Sequence, residues 1–345
     1  MVNLRPYLCL MMEKTMSEDR YDNQQPISII GAGAWGSALA IHLARKHQEV
    51  RLWAYEKQQV LEINTKRTNE RYLPGITFPS NIICTDDYQT VLSGTEDILI
   101  VVPSVAFHTT LKKMQPYLQN NQRLLWASKG LDSEKHQLLN EVVKETVGNR
   151  KMAVLSGPSF AKEVAMGLPT AVCIASENYN FAHDLLLRFQ TKNFRVEITQ
   201  DIIGVELGGA IKNILAIAVG ITEGLGFGAN AKAAVISSGF SEMIELGTTL
   251  GAKQETFLEL SGLGDLVLTC NDNQSRNRRL GLALGQGRSL EESKKLIGTT
   301  EGYETAKNIF FLIKKFGVKA PFCEGVYHIL YEQRSPKTLF KDYFH

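Results

Sequence analysis

Cysteine pairing is missing from this chain. Its five cysteines (Cys9, Cys84, Cys173, Cys270 and Cys323) are odd in number, and no two stand in a Cys-x-x-Cys spacing. A disulfide framework and a cysteine zinc site are therefore disfavoured, and a cytoplasmic, reducing setting is expected. An excess of one charge is missing too: 38 Lys+Arg stand against 36 Asp+Glu, for a net charge of +2. That balance points neither to a nucleic-acid partner nor to an acidic solvating tail. No run of about 18 apolar residues is evident, so no membrane span is expected. None of the seven histidines falls in an HxxxH or HExxH pair, and no metal is expected. No serine sits in a Gly-x-Ser-x-Gly elbow, which disfavours a serine hydrolase.

What is present is an ordinary globular composition, 44% hydrophobic and 21% charged over 345 residues. Such a length suits about two domains with cores of their own. Residues 1–25 read as a flexible N-terminal extension, not a signal peptide, because the apolar stretch near Leu8–Met12 runs straight into Glu13 and Lys14. Met11, Met12 and Met16 are alternative starts. From Ile27 to about residue 200, short β-rich runs alternate with helix-like segments: ISIIGAG, VRLWAY, DILIVV, RLLWAS, KMAVLSG, TAVCIAS and FRVEIT. Strands apolar on both faces and separated by helices predict a mostly parallel sheet covered on both sides. After residue 200 every segment reads as helix, beginning with the long apolar pattern DIIGVELGGAIKNILAIAVG. The expected architecture is a Rossmann-type, doubly wound α/β domain over 26–200, followed by an all-α domain over 201–345.

Gly31, Gly33 and Gly36 form a GxGxxG turn between the first strand and a helix. The first glycine allows the tight turn, the second lets backbone approach a pyrophosphate, and the third lets helix and strand pack closely. The helix N-terminus then offers unpaired N–H groups to the phosphates. An acid about 20 residues on would grip an adenosine ribose. The second strand instead ends in Ala54 and Tyr55, with Glu56 just beyond, so the choice between NAD and NADP stays open.

Three polar groupings interrupt the apolar pattern. Lys212 is the sole charge between Leu207 and Thr222, one turn after Gly208 and Gly209. Its side chain leans back over those glycines, which predicts open space beside an amine. Burial there would depress its pKa and make it a general base. A lysine snorkelling to solvent over glycines that serve helix packing fits the helix equally well. Asp265 sits in a Gly-rich turn, GLGDL, and Ser275, Arg276 and Asn277 open a helix that continues with Arg278 and Arg279. A phosphate would suit that helix start, and so would a solvated basic face. Lys129 in SKG and the GPSF segment at 157–160 follow predicted strands, on the sheet edge where open α/β sheets take ligands.

Together these segments resemble the bacterial NAD(P)-dependent sn-glycerol-3-phosphate dehydrogenases. The resemblance rests on GAGAWGSALA, RYLPGI, SKGL, GPSFAKEVA, ELGGAIKNILAIAVGI, GFGANAKAA, GLGDLVLTC, DNQSRNRR and EGYETA, which occur in that order from residue 27 to about 306. It implies interconversion of dihydroxyacetone phosphate and sn-glycerol 3-phosphate with NAD or NADP, supplying phospholipid biosynthesis. It implies Lys212 as proton acceptor and donor. Lys129, Gly157, Ser159, Asp265, Ser275, Arg276 and Asn277 would meet the substrate beside it. Gly31, Gly33, Ala34, Trp35, Gly36, Tyr55, Lys129, Ala161, Arg276, Thr299 and Glu301 would meet the dinucleotide. Ala34 replaces a residue that is often a hydroxyl in the family, and Thr299 one that is often small and apolar. The partner expected is the small substrate, with no nucleic acid and no membrane; a homodimer is left open. Rival readings are a 6-phosphogluconate-type or 3-hydroxyacyl-CoA-type dehydrogenase, or a nucleotide sensor without catalysis.

Overall fold

Eight short strands form one sheet in the computed structural model, which describes residues 25–298 and 300–340. The extension expected over 1–25 (all but Gln25) and the contact expected of Thr299 lie outside the described residues. The strands are β1 (Ile27–Ile30), β2 (Val50–Trp53), β3 (Ile82–Thr85), β4 (Asp97–Ile100), β5 (Arg123–Trp126), β6 (Met152–Ser156), β7 (Thr170–Ala175) and β8 (Phe194–Thr199). Their order is β3-β2-β1-β4-β5-β6-β7-β8. Every neighbouring pair is parallel except β6 with β7, which runs antiparallel. Helices cover both faces, as the two separate apolar clusters on either side of the sheet require. The order reverses between β1 and β4, which leaves a crevice at the C-terminal strand ends where such sheets bind ligands.

The sequence reading found seven of these strands and missed β3. That strand is four residues long and lies at the sheet edge, with Ile82 and Cys84 buried and Ile83 half exposed. Its apolar stretch is only three residues, 82–84, too short to stand out as a strand in the sequence.

The chain becomes helical after Thr199, and among the described residues no strand follows. Asp201 caps the first helix, Ile202–Gly224, through a bond from Gly204 N to its side chain. This helix is long and apolar enough to cross a membrane by length and composition. It is instead the axis of the helical half: 94% of its most apolar window is buried inside the molecule. Helix Arg276–Gly285 crosses it at backbone contact. A Cβ on Gly220 would fall 2.0 Å from Arg278 O, and one on Gly281 would fall 2.0 Å from Ile217 O. The small residues at this crossing let the start of Arg276–Gly285 approach the central helix. One correction concerns Asp265. The segment read as a turn is one π-helical turn, Leu260–Gly264, running directly into helix Asp265–Asn271.

Candidate active site

The glycine turn adopts the geometry its spacing predicted. Gly31 has φ +119°, and a Cβ there would sit 2.5 Å from Val101 O. A Cβ on Gly36 would sit 1.8 Å from Gly31 O, so this glycine closes the turn onto the helix. Gly33 has nothing within 4 Å of its Cβ position, which leaves its backbone open to a ligand. It caps helix Ala34–Ala44 without a side-chain bond, and Ala34 adds no hydroxyl. Trp35 lines the cleft beside the turn, and its Nε1 is buried with no hydrogen-bond partner among the described residues. Open backbone, a free helix N-terminus and an orphaned indole donor fit a dinucleotide pyrophosphate.

The polar centre is a lysine–carboxylate–lysine chain drawn from three distant segments. Lys212 comes from the central helix, Lys129 from the loop after β5, and Asp265 from the start of helix Asp265–Asn271. Lys212 Nζ donates to Asp265 Oδ1 at 2.5 Å and to Thr269 Oγ1 at 2.9 Å. Lys129 Nζ donates to Asp265 Oδ2 at 2.6 Å and to Gly157 O at 3.2 Å. Burial brings the Lys212 amine down to about 8; Asp265 pulls it upward, and Lys129 adds to the lowering. Desolvation would raise the Asp265 carboxyl, but the two ammonium groups outweigh it and hold the carboxyl below its ordinary range. The space expected beside Lys212 is filled, which corrects the sequence reading. A Cβ on Gly208 would meet Ser261 O at 2.6 Å, and one on Gly209 would meet Ser156 Oγ at 2.9 Å and Lys129 Cγ at 3.5 Å. The glycines admit the backbone before Asp265 and the stem of Lys129, so they deliver both partners to the amine.

Above this chain opens a cleft of about 220 Å³. Of the residues the sequence singled out, Trp35, Lys129, Ser159, Lys212, Ser275, Arg276, Asn277 and Glu301 line it. Gly157 acts from behind, through its carbonyl on Lys129, and Ser159 Oγ donates to that same carbonyl at 2.9 Å. Asp265 lies under the floor. Ser275 caps helix Arg276–Gly285 by accepting Arg278 N at 3.2 Å. Asn277 Nδ2 donates to Asn213 Oδ1 at 2.9 Å, and its Oδ1 accepts Gly302 N at 3.0 Å. Both ends of that amide therefore tie helices together. Glu301 opens helix Glu301–Phe316; burial raises its pKa, while Lys129, Arg276 and Lys212 pull it down. Ala161 packs with Trp35 on the apolar cluster of one sheet face, and Tyr55 is 77% exposed beyond β2. Neither of these two lines the cleft.

Phe160, from the GPSF segment, also lines it, and Ala127, Asn213, Thr269, Gln274 and Thr300 line it without having been singled out. Asn213 and Thr269 carried a usable signal, since each is a polar residue one helical step or one turn from a named site residue. Gln274 directly precedes Ser275, but its bond from Nε2 to Glu163 Oε1 at 2.8 Å spans 111 residues and is invisible in the sequence.

Residues 26–182 match the family model described as the N-terminus of NAD-dependent glycerol-3-phosphate dehydrogenase, and residues 201–341 match the model of its C-terminus. The chain is 44% identical over 334 residues to glycerol-3-phosphate dehydrogenase (NAD(P)+) of Vibrio cholerae, covering 96% of this chain and 97% of that one. The chain belongs to the NAD-dependent glycerol-3-phosphate dehydrogenase family. The corresponding enzyme of Bartonella quintana is 46% identical over 316 residues, 91% of this chain and 93% of that one. The crystal structure of glycerol-3-phosphate dehydrogenase from Coxiella burnetii superposes with a TM-score of 0.90 at 48% identity, covering 93% of this chain and 99% of that one.

One further group on the central helix bears on the site of this family member. Glu206, six residues before Lys212, is buried between the halves of the molecule. Its Oε1 accepts Trp126 Nε1 at 3.0 Å and Asn140 N at 3.1 Å. Trp126 ends β5, three residues before Lys129. Burial pushes the Glu206 carboxyl up to about 8. A raised native pKa means the folded state holds the proton more tightly than the unfolded one, so stability falls as pH rises from about 4.5 to about 8. Glu206→Gln keeps the acceptor and removes that charge. Thermal unfolding should show the variant matching the parent near pH 5 and melting roughly 2 °C or more above it near pH 8.5. A variant that melts lower at both pH values would show that the ionised carboxylate is the stabilising form.

Proposed function

We propose that the chain interconverts dihydroxyacetone phosphate and sn-glycerol 3-phosphate with NAD or NADP, with Lys212 as general acid and base. The observation that carries this reading is the buried Lys212–Asp265–Lys129 chain under a cleft that opens between the glycine turn and Arg276. Gly31, Gly33, Ala34, Trp35 and Gly36 would hold the pyrophosphate, with Tyr55, Ala161, Thr299 and Glu301 completing the dinucleotide contacts. The dinucleotide, when bound, supplies the hydride acceptor or donor for C2 of the substrate.

The chain's own residues do the rest. Neutral Lys212 takes the proton of the C2 hydroxyl in oxidation, and its ammonium returns a proton to the C2 oxygen in reduction. An amine poised near pH 8 serves both directions at physiological pH. Asp265 orients that amine and keeps a proton within its reach. Lys129 is fixed by the same carboxylate and by Gly157, and supplies a second positive donor beside the reacting oxygen. Arg276 and the capped helix start behind it would hold the phosphate, a bidentate handle at a positive helix end. Ser159, Ser275 and Asn277 line the space between. Residues 26–200 would thus carry the dinucleotide and 201–345 the substrate. The product is the backbone from which phospholipids are assembled, and a cytoplasmic setting suits the reduced cysteines.

Oxidation of NADH and NADPH, followed by absorbance with purified protein, tests the reading. Rapid oxidation with dihydroxyacetone phosphate and almost none with unphosphorylated dihydroxyacetone is the expected result. Turnover indifferent to the phosphate would remove Arg276 from its role and with it this substrate class.

A further inference from the structure

The reaction chemistry makes no use of an ion pair at the sheet edge beside the glycine turn. Glu56 lies three residues past β2 and caps helix Lys57–Lys66. β2 pairs in parallel with β1, Trp53 opposite Ile30, so the glycine turn and Glu56 leave the same end of adjacent strands. In a dinucleotide fold the adenosine ribose falls there. An acid accepts its 2′-hydroxyl, and a nearby arginine accommodates a 2′-phosphate. Both residue types are present and paired: Arg71 Nη1 donates to Glu56 Oε1 at 2.7 Å and to Oε2 at 2.8 Å. The side chains are 65% and 44% exposed, so an arriving ligand can reach both.

The loop that carries Arg71 is fastened to the glycine turn itself. Asn69, fully buried, donates through Nδ2 to Ala32 O and to Ser37 Oγ, both at 2.9 Å. Gln59 Nε2 donates to the same Ala32 carbonyl at 2.6 Å and to Asn69 Oδ1 at 3.3 Å. Backbone bonds from Tyr72 N and Leu73 N to Asn69 O close the turn around Arg71. The Arg71 guanidinium lies 5.2 Å from the Tyr72 ring centroid. Arg71 is therefore placed two residues from a side chain that touches the dinucleotide turn.

We propose that Glu56 and Arg71 form an exchangeable pair that sets the selectivity between NAD and NADP: Glu56 receives the 2′-hydroxyl of one, and Arg71 receives the 2′-phosphate of the other. The inference rests on the dinucleotide reading of the glycine turn. Alone, the Glu56 carboxylate would repel a 2′-phosphate. Arg71 neutralises it, and an exposed pair of this kind holds its partners weakly. A phosphate, with its greater charge and three acceptor oxygens, displaces the carboxylate from the guanidinium fork. A 2′-hydroxyl leaves the pair intact and uses the free acceptor capacity of Glu56.

The pair predicts opposite shifts for the two cofactors. Binding of NADH and NADPH to the full chain is read from nicotinamide fluorescence, with ADP-ribose and 2′-phospho-ADP-ribose as competitors. Arg71→Ala should weaken NADPH and 2′-phospho-ADP-ribose by about 10-fold or more while NADH moves less than about 3-fold. Glu56→Gln should tighten NADPH several-fold and weaken NADH. Parallel loss of both cofactors in Arg71→Ala, or NADPH binding unmoved in both variants, overturns the pair as the selectivity element. Failure of the unsubstituted chain to bind either cofactor overturns the dinucleotide reading instead.

Discussion

Replacing Lys212 by alanine is expected to lower kcat by about 10²–10⁴-fold, the usual contribution of a positioned acid or base. The loss should appear in both reaction directions. Cofactor affinity should be preserved, because the glycine turn is built from residues that do not touch Lys212. Asp265 keeps Lys129 as a partner at 2.6 Å, so the variant should fold. The pH profile separates a chemical role from a structural one. In the parent enzyme, oxidation needs the neutral amine, so its rate should rise through about pH 8. Reduction needs the ammonium, so its rate should fall through the same region. Both limbs should vanish in Lys212→Ala. A variant that keeps the oxidation limb, or retains more than about a tenth of the parent rate, would take the base assignment away from Lys212.

Asp265→Ala should have the largest effect on stability. Asp265 is 1% exposed and is the carboxylate shared by Lys212 and Lys129. Removing it leaves two ammonium groups facing one another in a desolvated site, and breaking a buried ion pair from one side typically costs about 3–5 kcal/mol. The sign of the pH dependence follows. Without the carboxylate, the Lys212 amine releases its proton still more readily in the folded state than in the unfolded chain. The unfolded state then binds more protons, and stability rises with pH. Denaturant unfolding should therefore show a deficit that is larger near pH 6 than near pH 9.5. The oxidation limb of any residual activity should also move below pH 8, because Asp265 is the group that pulls the Lys212 amine upward. Asp265→Asn, which keeps the volume and one acceptor, should recover part of the packing but not the charge. A deficit independent of pH would mean that Asp265 contributes packing alone.

The parts of this site that were legible in the sequence are those whose physics is local. GxGxxG is read from spacing because each glycine answers a clash or an opening within its own turn, and the 1.8 Å approach of a Cβ on Gly36 to Gly31 O is a contact between near neighbours. The helix start at 275–277 was legible in the sequence, and the structure adds that Ser275 caps it through a bond spanning three residues. Lys212 was only half legible. Periodicity placed it on an apolar helix, but a snorkelling lysine and a buried base share that pattern. The resemblance to a family, not the helix, named its partners.

The edge strand β3 escaped because its apolar stretch is only three residues long, and Asp265 was taken for a turn residue because Gly262 and Gly264 masked the helix start. Glu206 drew no notice on the helix, where nothing marks one acid as buried against an indole 80 residues away.

Strand and helix periods and the glycine turn follow from the order of residues, because each depends on neighbours a few positions apart, and the balance of charge follows from composition alone. Tertiary packing alone decided that Lys212 is desolvated, that one carboxylate serves two lysines 83 residues apart in sequence (212 − 129), and that Arg71 meets Glu56 beside the turn. A pKa is set by the charges and the solvent within a few ångströms of a group, and only the packing of the two halves fixes those distances.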